Sequence, residues 1–201
     1  MDKFLKSISY IFHPLFMPLF AAWFYFEISP RFISKVVIHG KLISLGILTV
    51  ILPVLSFLIL KTLGKAKTIH LENTKERIYP LILYGIILLV TLKRVILPTL
   101  TVELYFFILG VLVSNLACLF MAFFKLKASL HMAAIAGVFM FFVALSIHFS
   151  INLNNVLALM CVAIGAVATS RLHFMAHNYK ELILGLFVGI LPQLILVTYW
   201  L

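Results

Sequence analysis

The stretch SRLHFMAHNYKE, residues 170–181, gathers Arg171, His173, His177, Lys180 and Glu181 between two apolar segments. If residues 173–181 are helical, His173, His177 and Glu181 lie four apart on one face. A carboxylate that accepts the N–H of one imidazole nitrogen fixes the tautomer and raises the basicity of the other nitrogen. His177 beside Glu181 is therefore suited to act as a base or as a nucleophile. Two further stretches carry chemistry. In ASLH, residues 128–131, Ser129 is placed to cap the following helix. That same helix start is an anion site at which His131 can supply a proton. The connection KTLGKAKTIHLENTKERIY, residues 61–79, brings His70, Lys75 and Arg77 up to the next apolar run. Each feature also has a plainer reading: an interfacial histidine among headgroups, a helix cap, a solvated basic loop.

The elements that must position these residues are membrane helices. The chain has 201 residues, 64% of them hydrophobic and 11% charged, with a mean hydropathy of +1.19. Soluble domains hold about half apolar and about a quarter charged residues. Apolar runs of about 20 residues recur along the chain, without the alternation of a membrane β-barrel. The expectation is an all-α, polytopic transmembrane bundle of six to seven spans, with residues 1–201 forming a single integral membrane domain. The apolar segments are 8–28, 43–60, 79–92, 97–124, 131–150, 156–170 and 182–201. The first is long, aromatic and interrupted by Pro14 and Pro18, and reads as a retained span rather than a cleaved leader. Cys118 and Cys161 both lie in apolar runs and read as small buried hydrophobes, not as a disulfide or a zinc site.

Seven spans place the polar segments 61–79, 125–131 and 170–181 after the second, fourth and sixth, hence on one face. The net charge of +10 is scattered among short loops, which suits topogenic signals and anionic headgroups rather than nucleic acid. Eleven of the sixteen Lys and Arg fall on the face of the three segments. Positive-inside counting therefore turns that face towards the cytoplasm; the expected location is the cytoplasmic (inner) membrane.

Ser170, Arg171 and His177, followed by Glu181, resemble the third signature of the type 2 phosphatidic acid phosphatase superfamily, Ser-Arg-x5-His-x3-Asp. ASLH resembles its second signature, Pro-Ser-Gly-His, through Ser129 and His131. HLENTKERIYP resembles the first, Lys-x6-Arg-Pro, through Arg77, with His70 at the lysine position and Ile78 at the proline position. Ala128 and Leu130 stand for the proline and glycine of the second, and Glu181 for the aspartate of the third. The resemblance implies a phosphatase-like core over roughly residues 61–201, working without metal or other cofactor on a lipid phosphate or diphosphate. It makes His177 the nucleophile, Glu181 its orienting partner and His131 the acid for the leaving oxygen. Arg77, Arg171, Ser129, Ser170 and His70 then hold the phosphoryl oxygens. Cation clamps on those oxygens are what phosphoryl transfer needs. In the family the site usually faces away from the cytoplasm, opposite to the charge count here.

Two other readings compete. HFMAH is a His-x3-His pair followed by Glu181, as a membrane metal enzyme could use, but His13, His39, His70, His131 and His148 are isolated along the chain. Glu103, Asn115 and Lys93 could line the pathway of a non-enzymatic transporter or scaffold. They read equally as interhelical hydrogen bonds or snorkelling ends.

Overall fold

The computed structural model describes residues 2–64 and 74–201. His70 lies outside the described residues. Among those described there are eight helices and no strand. They are α1 (Asp2–Ile11), α2 (Met17–Ile28), α3 (Lys35–Thr62), α4 (Thr74–Arg94), α5 (Val102–Phe123), α6 (Leu130–His148), α7 (Asn154–His173) and α8 (Tyr179–Val197). Five of them, α3 and α5 to α8, are long and apolar enough to cross a membrane. The protein is an integral membrane helical bundle.

Two expected spans come out differently. The segment 8–28 is not one helix, because the chain leaves α1 at Ile11 and re-enters helix only at Met17. Pro14 lies in the break, where its ring and missing N–H oppose helix continuation, and Pro18 sits in the first turn of α2, where proline is tolerated. The ten-residue α1 is too short to cross a bilayer. The segment 79–92 lies within α4, which has 21 residues but carries Lys75, Glu76 and Arg77 at its start and Lys93 and Arg94 at its end.

The centre of the bundle is α6, which packs against α2, α5, α7 and α8. Its Phe141 and Phe142 are fully buried with Tyr25 and Phe107. The rings of Phe107 and Phe141 stack at 4.4 Å, and those of Phe24 and Phe142 meet at 4.3 Å. Close approach of α6 and α8 depends on two glycines. A Cβ at Gly185 would sit 2.5 Å from Ser129 O, and one at Gly189 would collide with Ala133 O. Apolar side chains gain little by leaving lipid for protein, so helices in a membrane associate where small residues let backbones meet.

Polar residues within the bundle join helices. Asn115 Nδ2 donates to Leu81 O at 2.9 Å between α5 and α4, Gln193 Nε2 to Phe107 O at 3.0 Å, and Ser114 Oγ to Val188 O at 2.8 Å. Glu103, at the start of α5, is fully buried. It accepts from Arg31 at 2.6 Å, Tyr25 at 2.9 Å and His148 Nε2 at 3.1 Å, tying the α2–α3 connection, α2 and the end of α6 together. Three helices begin or end at that cluster. The starts of α4, α6 and α8 lie at the opposite end of the bundle, where the polar segments meet.

Candidate functional site

Three chain reversals build the site. α7 ends at His173, and the chain turns through Met175 (φ 52°) before Asn178 opens α8. Asn178 Oδ1 accepts from Glu181 N at 2.9 Å, a helix N-cap. Residues 173–181 are therefore not one continuous helix. His173 points elsewhere, with Nε2 3.0 Å from Asp2 Oδ1 of α1. His177 and Glu181 still meet, because the capped first turn of α8 carries the carboxylate back over the connection. Nδ1 of His177 lies 2.6 Å from Glu181 Oε2. The His-x3-His pair thus diverges, and among the described residues no group of three or more His, Cys, Asp or Glu is arranged to hold a metal ion.

The second segment docks on the same turn. Ser129 N donates to Glu181 O at 3.0 Å, the contact that Gly185 permits. Ser129 Oγ accepts from Met132 N at 3.4 Å, so the hydroxyl serves as the cap of α6. Just before it, Lys127 Nζ donates to Ala176 O at 2.9 Å and stands 4.0 Å from Glu181 Oε2. Arg77, from the first turn of α4, donates through Nη1 to Ala128 O at 2.9 Å and is buried. It interacts electrostatically with both Glu181 and Arg171.

Arg171 and Ser170 close the other side. Arg171 is 6% exposed, and its Nε is buried without a hydrogen-bond partner among the described residues. Its Nη1 lies 3.5 Å from Ser9 Oγ. Ser170 Oγ donates to Leu5 O at 2.7 Å and lies 2.8 Å from Ser9 Oγ. His131 is partly buried, with Nε2 3.2 Å from Ser9 O and its ring edge-on to His13 at 5.3 Å. It interacts with Arg171 and His177 as well. Arg77, Ser129, His131, Ser170, Arg171, His177 and Glu181, drawn from three separate stretches, thus share one end of the bundle.

The electrostatics reflect the packing. Arg77 and Lys127 interact with the Glu181 carboxylate, and with the buried Arg171 nearby these cations outnumber it, which suits an anion. Burial holds the His177 imidazole below its ordinary value, Arg77 and Lys127 push the same way, and the Glu181 hydrogen bond opposes them. A carboxylate oxygen can only accept, so the proton of neutral His177 sits on Nδ1 and the lone pair is on Nε2. A lone pair on Nε2 gives the ring the form needed for a base or a nucleophile.

Sequence reasoning does not find Ser9, His13 or Lys127. Lys127 lies in KLKASLH, residues 125–131, two residues from Ser129, and proximity to that motif is the available signal. His13 sits at the Pro14 break, a local cue to a reversal. Ser9 is 161 residues from Ser170, and nothing local connects them. No protein-family model, curated protein or solved structure matches the chain significantly.

Proposed function

We propose that this protein is a membrane phosphatase that hydrolyses a lipid phosphate or diphosphate through a phosphohistidine, as a divergent relative of the type 2 phosphatidic acid phosphatases. The observation that carries the reading is the convergence of Arg77, Arg171, His131 and the His177–Glu181 pair, 2.6 Å apart, at one end of a membrane bundle. Arg77 and Arg171 clamp the phosphoryl oxygens and offset their growing charge. His177 Nε2 attacks phosphorus while Glu181 holds the Nδ1 proton and stabilises the charge that develops on the ring. As the N–P bond forms, the bond from phosphorus to the leaving oxygen breaks, and that oxygen takes the Nε2 proton of His131, which the negative charge of the bound phosphate holds as the imidazolium. His131 is then a base. It removes a proton from water, whose oxygen displaces His177 and releases phosphate. Both histidines return to their starting protonation.

A lipid substrate is supported by the groove beside the site. An apolar groove of about 500 Å³ runs between α2 and α7, lined by Phe12, Phe16, Phe20, Trp23, Met160 and Ala163. One end adjoins His13, whose ring contacts both Phe16 and His131. A hydrocarbon chain in this groove carries its head towards the buried arginines. The test is phosphate release by purified protein from phosphatidate, phosphatidylglycerophosphate and a polyprenyl diphosphate, with and without chelator. Release that is insensitive to chelator and lost in His177→Ala is expected. Loss on chelation would point to the metal reading, and no release from any of these lipids would refute hydrolysis.

A further inference from the structure

The donors that a phosphoryl group needs are already engaged, and by α1. Ser170 has one hydroxyl proton and gives it to Leu5 O, so the proton between Ser9 and Ser170 belongs to Ser9. The remaining lone pairs of Ser9 Oγ face Arg171 Nη1 at 3.5 Å. A backbone carbonyl can only accept, so the 3.2 Å contact of His131 with Ser9 O holds the histidine's Nε2 proton there. Three neutral oxygens of α1, Leu5 O, Ser9 Oγ and Ser9 O, thus sit on Ser170, Arg171 and His131. Two of these contacts are long, and Arg171 Nε has no partner among the described residues. A phosphoryl group offers the same donors charged oxygens, whose bonds are shorter and about twice as strong.

The helix that makes these contacts is lightly held. Only Leu5 and Ile8 of α1 are buried, and at its start Asp2 pairs with an exposed His173. Its far end is the Pro14 break, a natural hinge. Its outer face presents Phe4, Tyr10 and Ile11, each more than half exposed, together with exposed Lys3 and Lys6. Apolar and basic residues on one short helix suit the headgroup–acyl boundary of a bilayer.

We propose that α1 is a surface gate that occupies the phosphoryl site with its own oxygens and swings into the interface when a lipid phosphate takes over Ser170, Arg171 and His131. The chemistry after release rests on the phosphatase reading, but the movement of α1 is measurable without turnover. The Ser9 and Ser170 hydroxyls, 2.8 Å apart, mark a pair of positions suited to a disulfide. Ser9→Cys/Ser170→Cys is made with Cys118→Ala, Cys161→Ala and His177→Ala, so that no substrate is consumed. In phosphatidylcholine nanodiscs, disulfide formation is expected to slow about fivefold or more when phosphatidate is added. Inorganic phosphate in a parallel arm tells whether a free anion also releases α1 or only a membrane-borne one; slowing in either arm supports the gate. Unchanged rates in both arms overturn it.

A second variant works at the other end of α1 and leaves His177 in place. Asp2→Cys/His173→Cys, also lacking Cys118 and Cys161, is bridged with a short bis-maleimide. Bridging is expected to cut phosphate release from phosphatidate about tenfold or more. Bridged protein that turns over as fast as unbridged overturns the gate and leaves Ser9 O as a fixed support for His131. Absence of phosphate release from every form would sink the phosphatase reading, and the disulfide rates would still decide the gate.

Discussion

His177 Nδ1 and Glu181 Oε2 meet at 2.6 Å across the junction where the chain leaves a connection and enters α8. The pair fixes the imidazole proton on Nδ1 and aims the Nε2 lone pair away from the carboxylate. Glu181→Gln keeps the shape but not the charge that steadies the developing imidazolium. Its kcat for phosphate release is expected to fall about 10- to 100-fold with little change in KM. His177→Ala should lose about a thousandfold or more.

Arg77 and Arg171 are both buried, and in the proposed reaction they clamp one phosphoryl group. A lysine at either position keeps the charge but loses the planar fork of donors. Arg171→Lys is expected to raise the inhibition constant of orthovanadate about tenfold or more, because a bidentate clamp becomes a point contact. Equal vanadate inhibition of Arg171→Lys and wild type would count against a phosphoryl site. Arg77→Lys should also lower Tm, because the Ala128 carbonyl loses its guanidinium donor.

Acidity provides a third test. The imidazole of His177 lies below its ordinary value of 6.5, held there by burial and then by Arg77 and Lys127. The nucleophile is therefore neutral at pH 7, and kcat/KM should hold as pH falls through 6.5, declining only below it. Lys127→Met removes a cation that disfavours the imidazolium, so the acid limb is expected to move to higher pH. Stability has the same sign. A depressed folded value gives a contribution that is full above the unfolded value and lost as pH falls through the folded one.

Packing far from the chemistry should matter as well. Gly189 lies against the backbone of Ala133, and one turn earlier Gly185 lies against Ser129. Gly189→Val is expected to cost about 1–3 kcal/mol or more by forcing α8 off α6. The same shift would separate Ser129 from Glu181 O and lower phosphate release. Gly165→Ala is the control: among the described residues nothing lies within 4 Å of its new methyl group, so Tm should hold or rise.

At the opposite end, Glu103 is fully buried and bonded to Arg31, Tyr25 and His148. Glu103→Leu removes four hydrogen bonds to a charged acceptor, two from Arg31 and one each from Tyr25 and His148. A loss of about 2–4 kcal/mol is expected, seen as a lower Tm in detergent. Protein recovered folded should keep the wild-type KM for phosphatidate, since the cluster lies away from the site. A transport pathway through Glu103 would instead predict altered function with little change in stability.

Much of this architecture is legible in the chain. Long apolar runs announce membrane helices because an unpaired backbone is intolerable in lipid, and α5 to α8 match those runs to within a few residues at most ends. Parity along the chain brings the 125–131 and 170–181 segments and Arg77 to one end of the bundle. The first segment differs from its expected form because mean hydropathy does not register a helix break: residues 8–28 are mostly apolar, but Pro14 divides them. The continuous helix over 173–181 fails for a local reason, since Met175 adopts positive φ and Asn178 caps a new helix.

By itself, then, the sequence determined the elements and the residue types at their ends, because solvation by lipid and spacing along a helix are local properties. It also set His177 and Glu181 four residues apart, although their contact rests on the Asn178-capped turn and not on the continuous helix expected. Only the tertiary structure decided what else stands around that pair. Ser9 reaches Ser170 and Arg171 from the far end of the chain, Arg77 reaches Ala128 from another helix, and Gly185 lets Ser129 touch Glu181. Those contacts depend on how closely helices approach one another, a property of pairs of surfaces that no single stretch of chain contains.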